Sequence, residues 1–161
     1  MPFKVTQETK LQSFQFRVIH RIIPCNKWLY NITVKSSSKC DFCNEEDNLL
    51  HYFIYCPNTN LLWKCFFNWW YTITKIDIKE TLDEHILFGY PGNNEIETVL
   101  NFCVLLAKWF IYCRKLNNNN DMDFYQYQVQ LKERLYIERM LCIKNNSPQN
   151  FDKWSIIYEH M

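Results

Sequence analysis

Apolar residues recur at helical spacing along most of the chain, and the recurrence breaks at short polar stretches. Residues 7–23 read as an amphipathic helix. Leu11, Val18, Ile19 and Ile22 cluster on one side, and Lys10, Arg17 and Arg21 form a stripe on another with Phe14 beside it. Pro24 ends that helix, and Asn26 is placed to cap a short second one through Lys27, Trp28, Leu29 and Tyr30. A polar loop from Lys35 to Lys39 follows. Asn58, Thr59 or Asn60 can cap a helix from Leu61 to about Thr74, whose Leu62, Trp63, Phe66, Phe67 and Trp70 are core material. Lys75 to Glu84 reads as an acidic connection, and Ile86 to Gly89 as an extended segment or a helix end. Asn93 and Asn94 can cap a long apolar helix to about Leu116. After a loop over Asn117 to Asn120, residues 122–144 predict a charged helix with Phe124, Val129, Leu135 and Ile137 among its apolar positions. Asn145 to Pro148 stops it, and Phe151 to Tyr158 is expected to fold back as a short tail.

Composition narrows the fold class. Only Gly89 and Gly92 are glycines, and both flank Pro91, while many tight β-turns need glycine. The expected fold is therefore mainly α. A hydrophobic content of 48% with 17% aromatics is enough for a real core in 161 residues. Residues 1–74 are expected to form one module and residues 75–161 a C-terminal helical region with a helical hairpin, packed together or as two small lobes. Val99 to Cys113 is too short for a membrane span and contains Asn101 and Lys108, so a buried helix and no membrane partner are expected. The first residues lack the charged, apolar and small-residue order of a secretion signal. A nuclear or cytoplasmic protein, not a secreted one, is the expectation.

A net charge of +1 hides a strong asymmetry. Residues 1–39 carry seven Lys and Arg against Glu8 alone, whereas residues 40–100 carry three basic and ten acidic residues. A polyanion would therefore meet the N-terminal segment.

The sharpest local signal is Cys40, Cys43, His51 and Cys56, spaced C-x2-C-x7-H-x4-C. Zn²⁺ takes four tetrahedral ligands and favours thiolate with imidazole, and four protein ligands leave no open position for water. A structural Zn²⁺ knuckle is expected. On a continuous α-helix positions five apart diverge by about 140°, so His51 and Cys56 need a break. Pro57 pushes Cys56 out of the helical region and lets its thiolate swing back. Buried core cysteines with a core histidine, or a disulfide pair, are the competing explanations.

The metal motif has informative neighbours. Upstream stands Phe16-Arg17-Val18-Ile19-His20-Arg21-Ile22-Ile23-Pro24-Cys25-Asn26-Lys27, and later Asn48-Leu49-Leu50-His51-Tyr52-Phe53-Ile54-Tyr55-Cys56-Pro57 with Leu62-Trp63. This combination resembles the zinc-binding C-terminal region of reverse transcriptases from non-LTR (LINE-type) retrotransposons. Ile86-Leu87-Phe88-Gly89, Ala107-Lys108-Trp109, Ile137-Glu138-Arg139 and Lys144-Asn145-Asn146 are similar to the tail of those polyproteins. The resemblance is strongest over residues 16–63 and looser to about Trp154. It implies a nucleic-acid-binding accessory domain that helps hold template RNA or target DNA during target-primed reverse transcription. It carries over Cys40, Cys43, His51 and Cys56 as ligands, and Arg17, His20, Arg21 and Lys27 as a basic helix end. No aromatic-x-Asp-Asp motif of a polymerase palm occurs. A degenerate element fragment, an excised piece and a module put to another use all remain open.

The residues expected to meet RNA or DNA are Lys10, Phe14, Arg17, His20, Arg21, Lys27, Lys35 and Lys39, with Trp28, Tyr30 and Phe42 as further stacking candidates. Glu45, Glu46 and Asp47 would repel phosphate and should face away. No Ser-His-Asp arrangement or phosphate-cradling glycine loop is recognisable, so catalysis is not expected. His85 follows two acids, which can look like a base or a second metal site, and reads as a solvated turn; His160 is the remaining histidine. Cys65, Cys103, Cys113 and Cys142 read as core. The alternative function is a helical scaffold that docks on the reverse transcriptase core or another protein, or an inert piece of a longer polyprotein. An exposed patch of Trp69, Trp70 and Trp109 would favour docking.

Overall fold

A computed structural model describes residues 5–78, 82–92, 94–119, 121–146 and 152–158. The expectations for Asn93 as a cap, for Asn120, for the helix stop at Ser147 and Pro148, for Phe151 and for His160 lie outside these residues. The described chain is mainly helical, as composition implied. Its elements are α1 (Thr9–Ile19), α2 (Asn26–Asn31), a π turn (His51–Tyr55), α3 (Pro57–Thr74), α4 (Asp83–Phe88), α5 (Glu95–Leu116), α6 (Phe124–Lys144) and α7 (Ser155–Tyr158).

The long helices start and stop where side-chain chemistry allows. Asn94 accepts from the Glu97 N–H at 2.8 Å, and the Glu97 carboxylate accepts the Asn94 N–H at 3.3 Å. Asp123 caps α6 by accepting from the Tyr125 N–H at 3.0 Å. Pro57 takes the first position of α3, where its missing N–H costs nothing, so Asn58, Thr59 and Asn60 lie inside the helix and Cys56 holds the cap position. Residues 86–88 complete α4 rather than running extended. His85 Nδ1 accepts the Leu82 N–H at 3.4 Å there, which makes His85 a helix-end residue. Gly89 ends α4 at φ 101°, and a Cβ there would stand 3.0 Å from Asn101 Oδ1. With so little glycine, Arg21, Thr33, Asn44, Lys75, Asn118 and Asn146 also take positive φ, beside Gly89 and Gly92.

α5 is the central element. Its residues from Phe102 to Tyr112 are all buried. It is long and apolar enough to cross a membrane, but 72% of its most apolar window is buried inside the protein. α1 packs on one side of it and α6 on another. The buried face of α1 is Leu11, Phe14, Gln15 and Val18, a clean i, i+3, i+4, i+7 stripe. Ile19 and Ile22 are exposed, against the expected grouping, because the helix ends at Ile19 and the chain turns at Arg21. α6 buries Tyr127, Leu131, Leu135, Glu138 and Cys142, whereas Val129 stands in solvent. Trp154 and Ile157 at the C-terminal end are fully buried, with Trp154 against Phe102 at 4.5 Å between ring centroids.

Two buried polar groups tie distant elements. Lys108 Nζ donates to Gln15 Oε1 at 2.6 Å and to the Leu87 carbonyl at 2.7 Å, joining α5 to α1 and α4. Burial pulls its ammonium down to about 7 from an ordinary 10.5. Glu138 on α6 accepts the Gln7 N–H at 3.1 and 3.2 Å and also the Thr6 hydroxyl, and Arg134 pairs with Glu8 at 2.6 Å. The start of α1 is thereby clamped to α6.

Candidate metal centre and basic face

The four predicted ligands come together. Their ligand atoms all lie within 4.8 Å of one another, and Cys43 Sγ is 3.3 Å from His51 Nε2. A tetrahedral zinc with ~2.3 Å sulfur bonds sets its ligands about 3.8 Å apart, so a small closure completes the site.

Local structure explains the convergence. Cys40 to Asn44 form a tight turn, with the Asn44 N–H donating to the Cys40 carbonyl at 3.0 Å and Asn44 at φ 64°. The Cys40 N–H donates to the Glu45 carbonyl at 2.7 Å, and Lys39 and Glu46 form an antiparallel bridge. This is the knuckle. Cys56 leaves the helical region ahead of Pro57 as expected, at φ −58° and ψ 130°, and the turn just before it adds a second device. The chain widens into a π turn, in which the Cys56 N–H donates to the His51 carbonyl at 3.0 Å across five residues. A wider turn brings positions five apart back over one another, which a regular α-helix cannot do.

A ring of polar contacts holds the loop. Asn48 Oδ1 accepts the His51 N–H at 3.0 Å. Asp47 Oδ2 accepts the Asn26 N–H at 2.9 Å, so a carboxylate from the metal loop caps α2 from outside. The Asn26 side chain donates to the Lys39 carbonyl at 2.6 Å and to Asp41 at 3.1 Å. Asn26 thus holds the knuckle and is the first residue of α2 rather than its N-cap. The sequence reading missed Asp47 and Asn48 as organisers of the loop; the signal available was an Asp-Asn pair just ahead of His51.

The electrostatics suit a metal. Burial pushes the metal-free Cys40 thiol up to about 11, while the Phe42 and Cys43 N–H groups and Lys115 act to favour its thiolate. Burial, with Lys115, holds His51 below its ordinary value and so neutral. Three thiols and a neutral imidazole, three of the four residues buried, fit a structural Zn²⁺. When bound, the ion supplies folding energy and locks the loop; Cys40, Cys43, His51 and Cys56 hold it.

The expected nucleic-acid residues divide into four groups. Phe14 is wholly buried, packed on Trp109 and Tyr112 with centroids 5.1 and 5.2 Å away, so it is a core residue and not a stacking platform. Lys10 lies over the Trp109 ring at 5.0 Å, and Arg17 lies over Tyr112 while donating to its hydroxyl at 3.2 Å. Those two cations partly serve the seam between α1 and α5. Lys27 pairs with Glu46 at 2.6 Å and Lys35 with Asp41 at 2.7 Å, while Lys39 is exposed. Arg21 is exposed, and His20 is exposed with its ring tilted against Phe16, centroids 4.1 Å apart.

A cleft of about 540 Å³ lies between α2, α4 and the segment leading into the π turn. Arg21, Lys27, Trp28, Asn31 and Asn48 line it, with Asp83 and Glu84 on the α4 side. The three tryptophans that would have favoured a docking patch are buried, Trp69 at 9% exposure, Trp109 at 6% and Trp70 at 1%.

Residues 2–63 match the sequence model of a family described as zinc-binding in reverse transcriptase. The match covers all four ligands and the basic α1, and it is consistent with a zinc-binding, reverse-transcriptase-associated region. No curated protein and no solved structure matches the chain.

Proposed function

We propose that this chain is a zinc-stabilised nucleic-acid-binding accessory domain of a non-LTR (LINE-type) reverse transcriptase. It holds template RNA or target DNA for target-primed synthesis and performs no catalysis of its own. Its place of work is the nucleus or cytoplasm.

One observation carries the reading. The segment that delivers His51 also lines the cleft, and so do Arg21, just past the basic α1, and α2. Zinc therefore sets the shape of a cleft that offers two cations, an indole and two amides. Arg21 and Lys27 can meet phosphates, Trp28 can stack a base, and Asn31 and Asn48 can reach base edges. Asp83 and Glu84 limit how much backbone the cleft takes, which favours a splayed nucleotide over a duplex.

The test is a salt-titrated binding assay on zinc-loaded protein with single-stranded RNA, single-stranded DNA and duplex DNA. Binding at micromolar or tighter concentration with a steep salt slope is the expected result. A folded, zinc-containing protein that binds none of the three at low salt overturns the reading.

A further inference from the structure

Lys115 lies near the C-terminal end of α5, outside the family-matched residues 2–63, yet it borders the metal loop. It is only 8% exposed. Among the described residues its Nζ has no hydrogen-bond partner, and it sits 4.3 Å from the centre of the Tyr52 ring, one residue after the ligand His51. Lys115 and Cys40 line one cavity of about 160 Å³, together with Asn26, Asp41, Asp47 and Tyr52. A buried ammonium with a ring face for company is poorly satisfied, because a charge removed from water needs an opposite charge or several acceptors.

The bound centre supplies that charge. Zn²⁺ with three thiolates and a neutral imidazole carries a net charge of −1. We propose that Lys115 is the counter-cation of the zinc–thiolate centre, so that α5 completes electrostatically a site whose four ligands all come from residues 40–56. Asp41 does not take this role, since Lys35 neutralises it. Asp47 also faces the cavity, with one oxygen on Asn26 and the other without a partner among the described residues. It adds negative charge on the same side, which increases the need for a cation. A free anion is a poor occupant, because the cavity already borders a thiolate centre and two carboxylates.

The charge, and not the bulk, of Lys115 is what the inference requires. Zinc affinity is measured by competition with a chromophoric chelator for wild type, Lys115→Met and Lys115→Arg. The Co²⁺-substituted spectrum reports whether the three-sulfur ligand set is intact, and far-UV circular dichroism reports folding. Lys115→Met is expected to weaken zinc binding by about tenfold or more, the range for residues that support a ligand shell, while Lys115→Arg stays close to wild type. Wild-type affinity in Lys115→Met overturns the assignment. Equal weakening in both variants overturns it too, since that signals packing. If Lys115 serves Asp47 alone, Lys115→Met loses stability equally with and without zinc and keeps its affinity, which also rejects the proposal. A wild-type protein that takes up no zinc would instead remove the metal reading itself.

Discussion

Cys56 donates its backbone N–H to the His51 carbonyl at 3.0 Å, so the turn between these two ligands closes over five residues instead of four. The extra residue is what aims both side chains at one point.

The π turn therefore predicts an unusual pair of results. Tyr55 is exposed and its hydroxyl donates to Asp83, away from the ligands, so Tyr55→Ala should leave zinc affinity near wild type. Deleting Tyr55 restores a four-residue turn and should weaken zinc binding by more than about tenfold. Chelator competition on the two variants checks it, with Cys43→Ser as the reference for a lost ligand. Equal affinity in the deletion and wild type would falsify the turn's role.

Lys108 predicts a pH dependence. Its folded value of about 7 lies below the unfolded 10.5. Between those values the unfolded chain binds a proton that the folded protein does not. Stability should thus rise with pH across this window, by up to about 1.4 kcal/mol per pH unit from this group. Below about pH 7 its contribution is flat. Denaturant midpoints at pH 7 and pH 9 should diverge in wild type and converge in Lys108→Met. An unchanged difference between the two pH values in the variant would rule this out.

Glu138 predicts a cost confined to the clamp. Glu138→Ala orphans the Gln7 N–H and the Thr6 hydroxyl and should destabilise by about 2–4 kcal/mol; Glu138→Gln should cost less. Burial holds the Glu138 carboxyl above its ordinary value. Its stabilisation is therefore fully present below the unfolded value and fades as pH rises through the folded one. Chemical denaturation across the acidic range should show that slope in wild type and its absence in Glu138→Gln.

Arg21→Glu is the cleanest charge reversal on the basic face. Adding a change at Arg17 would blur the result, because Arg17 donates to Tyr112 and covers its ring, so its loss also disturbs the seam with α5. Arg21→Glu alone should keep the melting temperature, weaken RNA binding severalfold or more and reduce the salt slope by about one. Unaltered affinity and slope would remove Arg21 from the interface.

How legible was all this in the chain? The four ligands were readable because coordination chemistry acts over a short stretch, and their residue types and spacing are nearly sufficient evidence. The helices were readable because the period of apolar residues is local. Phe14 was misplaced because its neighbours in sequence are cations, while its neighbours in space are Trp109 and Tyr112. Ile19 and Ile22 were misplaced because the end of α1 is set by a left-handed residue at Arg21, which no apolar period announces. Lys108 reads as polar in an apolar run, and only the fold reveals that Gln15 and Leu87 await it. Lys115 is further removed still, since its relation to Cys40 exists only once α5 has packed beside the loop.

The burial of Trp154 and Ile157 imposes an order in time. A chain emerging from the ribosome at roughly 5–20 residues per second presents the knuckle first. Zinc can be captured while α5 and α6 are still being made. The hydrophobic interior, however, cannot close until Trp154 arrives to sit on Phe102. Between those two moments a nascent metal-loaded loop sits beside an open, aromatic-rich interior, and that interval is when a chaperone would find its target.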